Sequence, residues 1–185
     1  MTSTTPTRRP PTKSSDEATK KQLALARKQG AAYEAALQHM VQKEAQGSEK
    51  HAGDYIVAYA VESAEGMYHR EGDELTWQEP QSENVHVEIS VRDGADGRFV
   101  PGLAVFVTLY DSNGQQIGRH QQPFLWHPWL YHYGRNWTVP GDGQYRLHVR
   151  IEPAEFGRHD KENGRRYWKP VEVEFSEVEI ETGQK

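Results

Sequence analysis

Val85-His86-Val87-Glu88-Ile89-Ser90-Val91 decides the fold class of this chain. Apolar and polar residues alternate with a period of two, so the three valines and Ile89 occupy one face of a strand while His86, Glu88 and Ser90 occupy the other. Comparable segments, rich in β-branched and aromatic residues, recur at residues 55–61, 84–92, 103–110, 116–121, 144–152 and 171–180, with turn residues between them. Asp111-Ser112-Asn113-Gly114 and Pro140-Gly141-Asp142-Gly143 tolerate positive φ, and each is expected to close a hairpin. Six or seven strands without helical alternation predict an all-β domain over residues 54–181, an immunoglobulin-like antiparallel β-sandwich. Gly143-Gln144-Tyr145, opening a late strand, suggests a tyrosine corner.

The sequence upstream of this domain has a different character. Residues 1–15 are polar and rich in Thr, Ser, Pro and Arg, a composition that buries too little apolar surface to offset ordering, and they are expected to be disordered. Residues 16–46 are rich in good helix formers and are expected to form an amphipathic helical extension, opened by a Ser14/Glu17 capping box. Leu23, Ala26, Gly30, Tyr33, Leu37 and Met40 fall on one stripe of that helix, expected to pack on its own domain. Residues 46–53 read as a linker.

Composition excludes several chemistries. The 185 residues contain no Cys, so thiolate zinc sites, iron–sulfur clusters, disulfides and cysteine nucleophiles are ruled out. Net charge is −5, and the basic excess is confined to the first 50 residues, leaving an acidic main domain unsuited to nucleic acid and compatible with a cation. The longest mostly apolar run, residues 56–61, is far short of the ~20 residues a membrane helix needs, so no membrane insertion is expected. No apolar segment follows Met1, so the chain shows no signal peptide, which leaves a cytoplasmic location open. Nucleophile-elbow, zinc-protease and phosphate-loop motifs are absent.

Three segments carry candidate chemistry. His86 and Glu88, two residues apart on a strand, lie ~6.6 Å apart at the backbone and can converge on one ion, although the polar face of a one-sided strand ordinarily meets solvent. Residues 126–137, WHPWLYHYGRNW, read as an aromatic loop in which Pro128 breaks the strand and Gly134 makes a tight turn that aims His132 inward. That loop can equally be aromatic packing or a platform for a glycan or protein partner. His159 opens a polar loop after a strong strand.

Taken in order, VHVEISV (85–91), RFVPGLAVFVTLYD (98–111), HYGRNW (132–137), GQYRLHVRIEP (143–153) and FGRHDKENG with KPVEVEF (156–175) resemble the bacterial iron-transport accessory family. That family comprises periplasmic or lipid-anchored metal-binding proteins, including a treponemal lipoprotein, encoded beside high-affinity iron permeases. The resemblance implies a homodimeric sandwich that holds copper and assists a membrane iron permease. Carried over by position, it implies His86, Glu88, His132 and His159 as metal ligands. Where the family has a metal-binding Met, seven residues before the HYG histidine, this chain has Leu125, with His127 as the nearest substitute ligand. Imidazoles with a carboxylate suit Cu(II), with zinc or iron as alternatives. A copper-dependent ferrous oxidase is a minor variant of this reading. Because histidine must be neutral to ligate, affinity is expected to fall below about pH 6.

Overall fold

A computed structural model describes residues 14–43 and 46–185. The expected disordered tail therefore lies outside the described residues as far as residue 13, as do residues 44 and 45 at the expected helix end. Helix α1 spans Lys20–Lys43. Its capping box is Thr19 with Gln22 rather than Ser14 with Glu17: Thr19 N donates to Gln22 Oε1 at 2.8 Å and Gln22 N donates to Thr19 Oγ1 at 3.3 Å. Ser15 instead turns the preceding backbone, its Oγ accepting from the amides of Glu17 and Ala18.

Eleven strands follow among the described residues: β1 Gln46–Ala52, β2 Tyr55–Glu62, β3 Met67–Glu71, β4 Glu74–Gln78, β5 Val85–Asp93, β6 Val105–Tyr110, β7 Gln116–Gln122, β8 Phe124–Trp126, β9 Tyr131–Trp137, β10 Gly143–Ile151 and β11 Val171–Ile180. They form a five-stranded sheet ordered β1-β2-β5-β9-β8, a four-stranded sheet ordered β11-β10-β6-β7, and the hairpin β3-β4. Every strand pair is antiparallel. Val85, Val87, Ile89 and Val91 from one large sheet and Val105, Val107, Leu109, Leu147 and Val149 from the other fill one core, the predicted sandwich.

The expected linker is a strand. All seven residues of β1 pair with β2, and the polarity of QGSEKHA reflects an edge strand whose side chains mostly face water. The Asp111–Gly114 turn forms as expected: Asp111 Oδ1 accepts from the amides of Asn113 and Gln115, and Gly114 takes φ +80°. The turn at residues 140–143 closes no hairpin, because it carries the chain from β9 in one sheet to β10 in the other. Tyr145 does make the corner: its hydroxyl donates to the Gly141 carbonyl at 2.6 Å.

A third layer determines what happens on the outer face of the five-stranded sheet. Helix α1 lies there on its predicted stripe, with Leu37 and Met40 packing beside Ala60 and Leu130, and Tyr33 against that cluster. The Tyr33 hydroxyl donates to the Tyr131 carbonyl and shares a hydrogen bond with Ser90 Oγ. All nine residues of β5 are consequently buried, including the polar set that a one-sided strand would show to solvent. Among the described residues no helix is long and apolar enough to cross a membrane.

Candidate metal centre

The segment read as an aromatic loop is a hairpin of two strands, β8 and β9, with Pro128 and Trp129 at its tip. Alternation in β9 therefore applies: His132, Gly134 and Asn136 point to one face, while Tyr133 and Trp137 enter the main core. β5 pairs with β9 so that His86 faces Asn136 and Glu88 faces Gly134. This register brings His86 and Glu88 of one strand beside His132 of the next.

The ligand atoms of these three residues lie within 4.8 Å of one another. Glu88 Oε1 is 3.3 Å from His132 Nε2 and 3.9 Å from His86 Nε2. His86 is fully buried and His132 is 2% exposed. His86 Nδ1 and Asn136 Oδ1 lie 2.8 Å apart, and Asn136 is held in turn by its Nδ2 donating to the Glu65 carbonyl. This contact orients the ring with Nε2 toward Glu88, and Nε2 has no hydrogen-bond partner. Neither ring nitrogen of His132 has one either.

Gly134 supplies room rather than the expected turn. It sits mid-strand without a positive φ, and a Cβ built on it would stand 2.8 Å from His86 Nε2, 2.9 Å from His132 Cδ2 and 3.0 Å from Leu125 Cδ1. The space before the two imidazoles and the carboxylate is thus kept clear by the missing side chain. Orphaned buried imidazole nitrogens around such a gap fit a bound metal, since nitrogen and carboxylate ligands need ~2.0–2.2 Å to the ion.

The remaining candidates lie elsewhere. His127 occupies the hairpin tip, its amide donating to the Leu130 carbonyl at 3.2 Å and its ring 6.4 Å from that of His132, and it is not part of the three-residue cluster. His159 is exposed in the loop after β10 and is not brought to the cluster within one chain. Leu125 stands directly opposite His132 across β8 and β9, so the position of the family Met does face the site. No motif marks Asn136 or the spacing role of Gly134; their signal is the period-two pattern of residues 131–137, which Pro128 and Gly134 disguise as a turn.

Burial controls the protonation of the site. It pushes the His132 imidazole down to about 3, with His86 and His127 adding to the effect, and it lowers His86 against the opposing influence of Asn136, Glu65 and Glu62. Burial thus favours the neutral, donor form of both rings in the metal-free protein. The unfolded chain takes up protons on these histidines below about pH 6.5, whereas folded His132 does so only near 3. Stability of the metal-free protein is thus expected to fall as pH drops through that window, by at most about 1.4 kcal/mol per pH unit per histidine. Urea midpoints at pH 6.5, 6.0, 5.5 and 5.0 check this, with a shallower slope expected for His132→Gln.

The fold is thus a β-sandwich with two buried imidazoles and a carboxylate converging on the gap at Gly134. The chain belongs to the Fe2+ transport protein family, whose model matches residues 40–181. A UPF0423 protein of Brucella abortus (strain 2308) is 34% identical over 118 residues, a match that spans 55% of this chain and 64% of that relative's length. FetP from uropathogenic Escherichia coli strain F11 shares the fold at 22% identity and TM-score 0.59, over 75% of this chain and 95% of its own. Copper-reconstituted P19 of Campylobacter jejuni does so at 21% identity and TM-score 0.62, over 77% and 98%.

Proposed function

We propose that this protein is a copper-binding accessory of iron uptake, with His86, Glu88 and His132 as the ligands of its metal. The observation that carries this reading is the buried convergence of their donor atoms around the gap at Gly134. Family membership supports the link to iron, and the copper-bound forms of P19 and of a FetP variant support the choice of metal. Bound copper would supply a redox-active centre able to polarise a nearby ligand. The chain's own contribution is to hold the two imidazoles neutral, to fix His86 through Asn136, and to exclude water with α1. His127 at the hairpin tip, its ring 6.4 Å from that of His132, stays outside this ligand set.

In this reading the protein works in the periplasm and hands iron to a membrane permease. His159, remote from the cluster in its own chain, reaches a metal only through a second copy, which ties its proposed role to homodimer formation. Titration of Cu(II), Zn(II) and Fe(II) into wild type, His86→Ala, His132→Ala and His159→Ala tests the assignment. One tight copper equivalent in wild type, lost in the first two variants, is expected, together with copper-dependent dimerisation in sedimentation that His159→Ala abolishes. Undiminished copper binding in His132→Ala would overturn the ligand set.

One observation favours a second reading, an interaction module built on aromatic residues. Phe124, Trp126, Trp129 and Tyr131 of the β8-β9 hairpin are all exposed, Trp126 by 70%. Glycan-array binding lost in Trp126→Ala, with no metal in the purified protein, would replace the copper reading with this one.

A further inference from the structure

We infer that Met40 of helix α1 is a thioether ligand of the centre and makes it selective for monovalent copper. The inference rests on the copper reading of His86, Glu88 and His132 and adds a fourth donor from outside the sandwich. A cavity of about 260 Å³ lies between α1 and the outer face of the five-stranded sheet, and Met40, Glu88 and His132 all line it. Met40 is 7% exposed and packs in one cluster with Ala60 and Leu130. Ala60 is the cross-strand partner of Glu88, and Leu130 precedes His132 by two residues, so the neighbours of Met40 are the neighbours of the ligands.

Other thioether or imidazole donors are poorly placed to join the three. Leu125, opposite His132, carries no donor atom. His127 opens on a separate pocket formed with Ala32, Tyr33, Ala36 and the hairpin aromatics, which none of the three ligands lines. Met67, the other described methionine, begins β3 and does not line the site cavity. Met40 is therefore the one soft donor facing the cavity among the described residues. An unbranched side chain with three rotatable bonds can re-aim its sulfur within the cavity that it shares with Glu88 and His132. Adding a thioether to the two imidazoles and the carboxylate shifts the preference toward Cu(I), whereas imidazole and carboxylate alone suit Cu(II) or Zn(II).

The test compares anaerobic Cu(I) affinity, by competition with bicinchoninate, and Zn(II) affinity in wild type, Met40→Leu and Met67→Leu. Leucine conserves volume, so the fold is retained at a cost below about 1.5 kcal/mol. Met40→Leu is expected to lose at least about tenfold in Cu(I) affinity while Zn(II) affinity and Met67→Leu stay unchanged. X-ray absorption of Cu(I)-loaded wild type is expected to show copper–sulfur scattering that Met40→Leu lacks. Wild type with Cu(I) bound but no sulfur scattering, or Met40→Leu with wild-type Cu(I) affinity, would overturn the thioether while leaving the three-residue site standing. Wild type that binds neither metal would overturn both.

Discussion

Gly134→Ala is expected to weaken copper binding by at least about 100-fold, more than most changes to groups that only orient a ligand. The reason is positional. The added methyl would stand 2.8 Å from His86 Nε2 and 2.9 Å from His132 Cδ2, in the gap where an ion bound by both rings and by Glu88 must sit. His86 has little freedom to yield, because Asn136 holds its Nδ1 and the Glu65 carbonyl holds Asn136. The fold should survive, since overpacking of this kind typically costs about 1–3 kcal/mol. Calorimetric titration with Cu(II), alongside urea unfolding, separates the two effects. Copper affinity equal to wild type in a folded Gly134→Ala protein would show that the metal does not occupy this gap.

The second large effect concerns the helix. Gly30 is buried where α1 meets the turn after β5, and an alanine Cβ there would overlap the Asp96 carbonyl oxygen and stand 2.7 Å from the Gly97 carbonyl carbon and 2.8 Å from the Arg98 amide nitrogen. These are backbone atoms, and the turn is braced: Asp93 Oδ1 accepts from the amides of Ala95 and Asp96, and the Gly97 amide donates to the Asp93 carbonyl. The turn cannot swing aside, so the helix must retreat. Gly30→Ala is expected to cost about 3 kcal/mol and to lower Tm by roughly 10 °C for a chain of this size. Hydrogen exchange should accelerate in α1 and in the β1 amides beneath it, while the β10-β11 ladder keeps its protection. A change in Tm within about 2 °C would mean that the helix is not seated through this contact.

The residues made some of this architecture legible and concealed the rest. Strong alternation at residues 85–91 and 171–180 marked strands because β-branched side chains on one face leave no other periodic reading. β1 was invisible for the opposite reason: its stability comes from pairing with β2 and from contacts such as Lys50 Nζ donating to the Glu174 carbonyl, none of which needs apolar residues. β9 was concealed by Pro128 and by Gly134, each a turn signal elsewhere, although Pro128 lies in the hairpin tip and Gly134 answers to the imidazoles packed against it. Spacing and resemblance point to His86, Glu88 and His132 on β5 and β9. Their burial was not legible, because it is imposed by α1, whose stripe showed that something would be covered without showing what. Arg92 illustrates the point: its side chain is fully buried on that face and reaches Glu49 of β1, a residue expected to lie in a linker.

The central claim is that one metal sits between His86, Glu88 and His132. A crystal of the protein grown with copper and measured at the copper absorption edge tests it most directly. The account predicts a single strong anomalous peak in the gap at Gly134, within about 2.0–2.2 Å of the nitrogen and oxygen ligands. A peak at another set of residues, or an empty gap in crystals of copper-saturated protein, would contradict it.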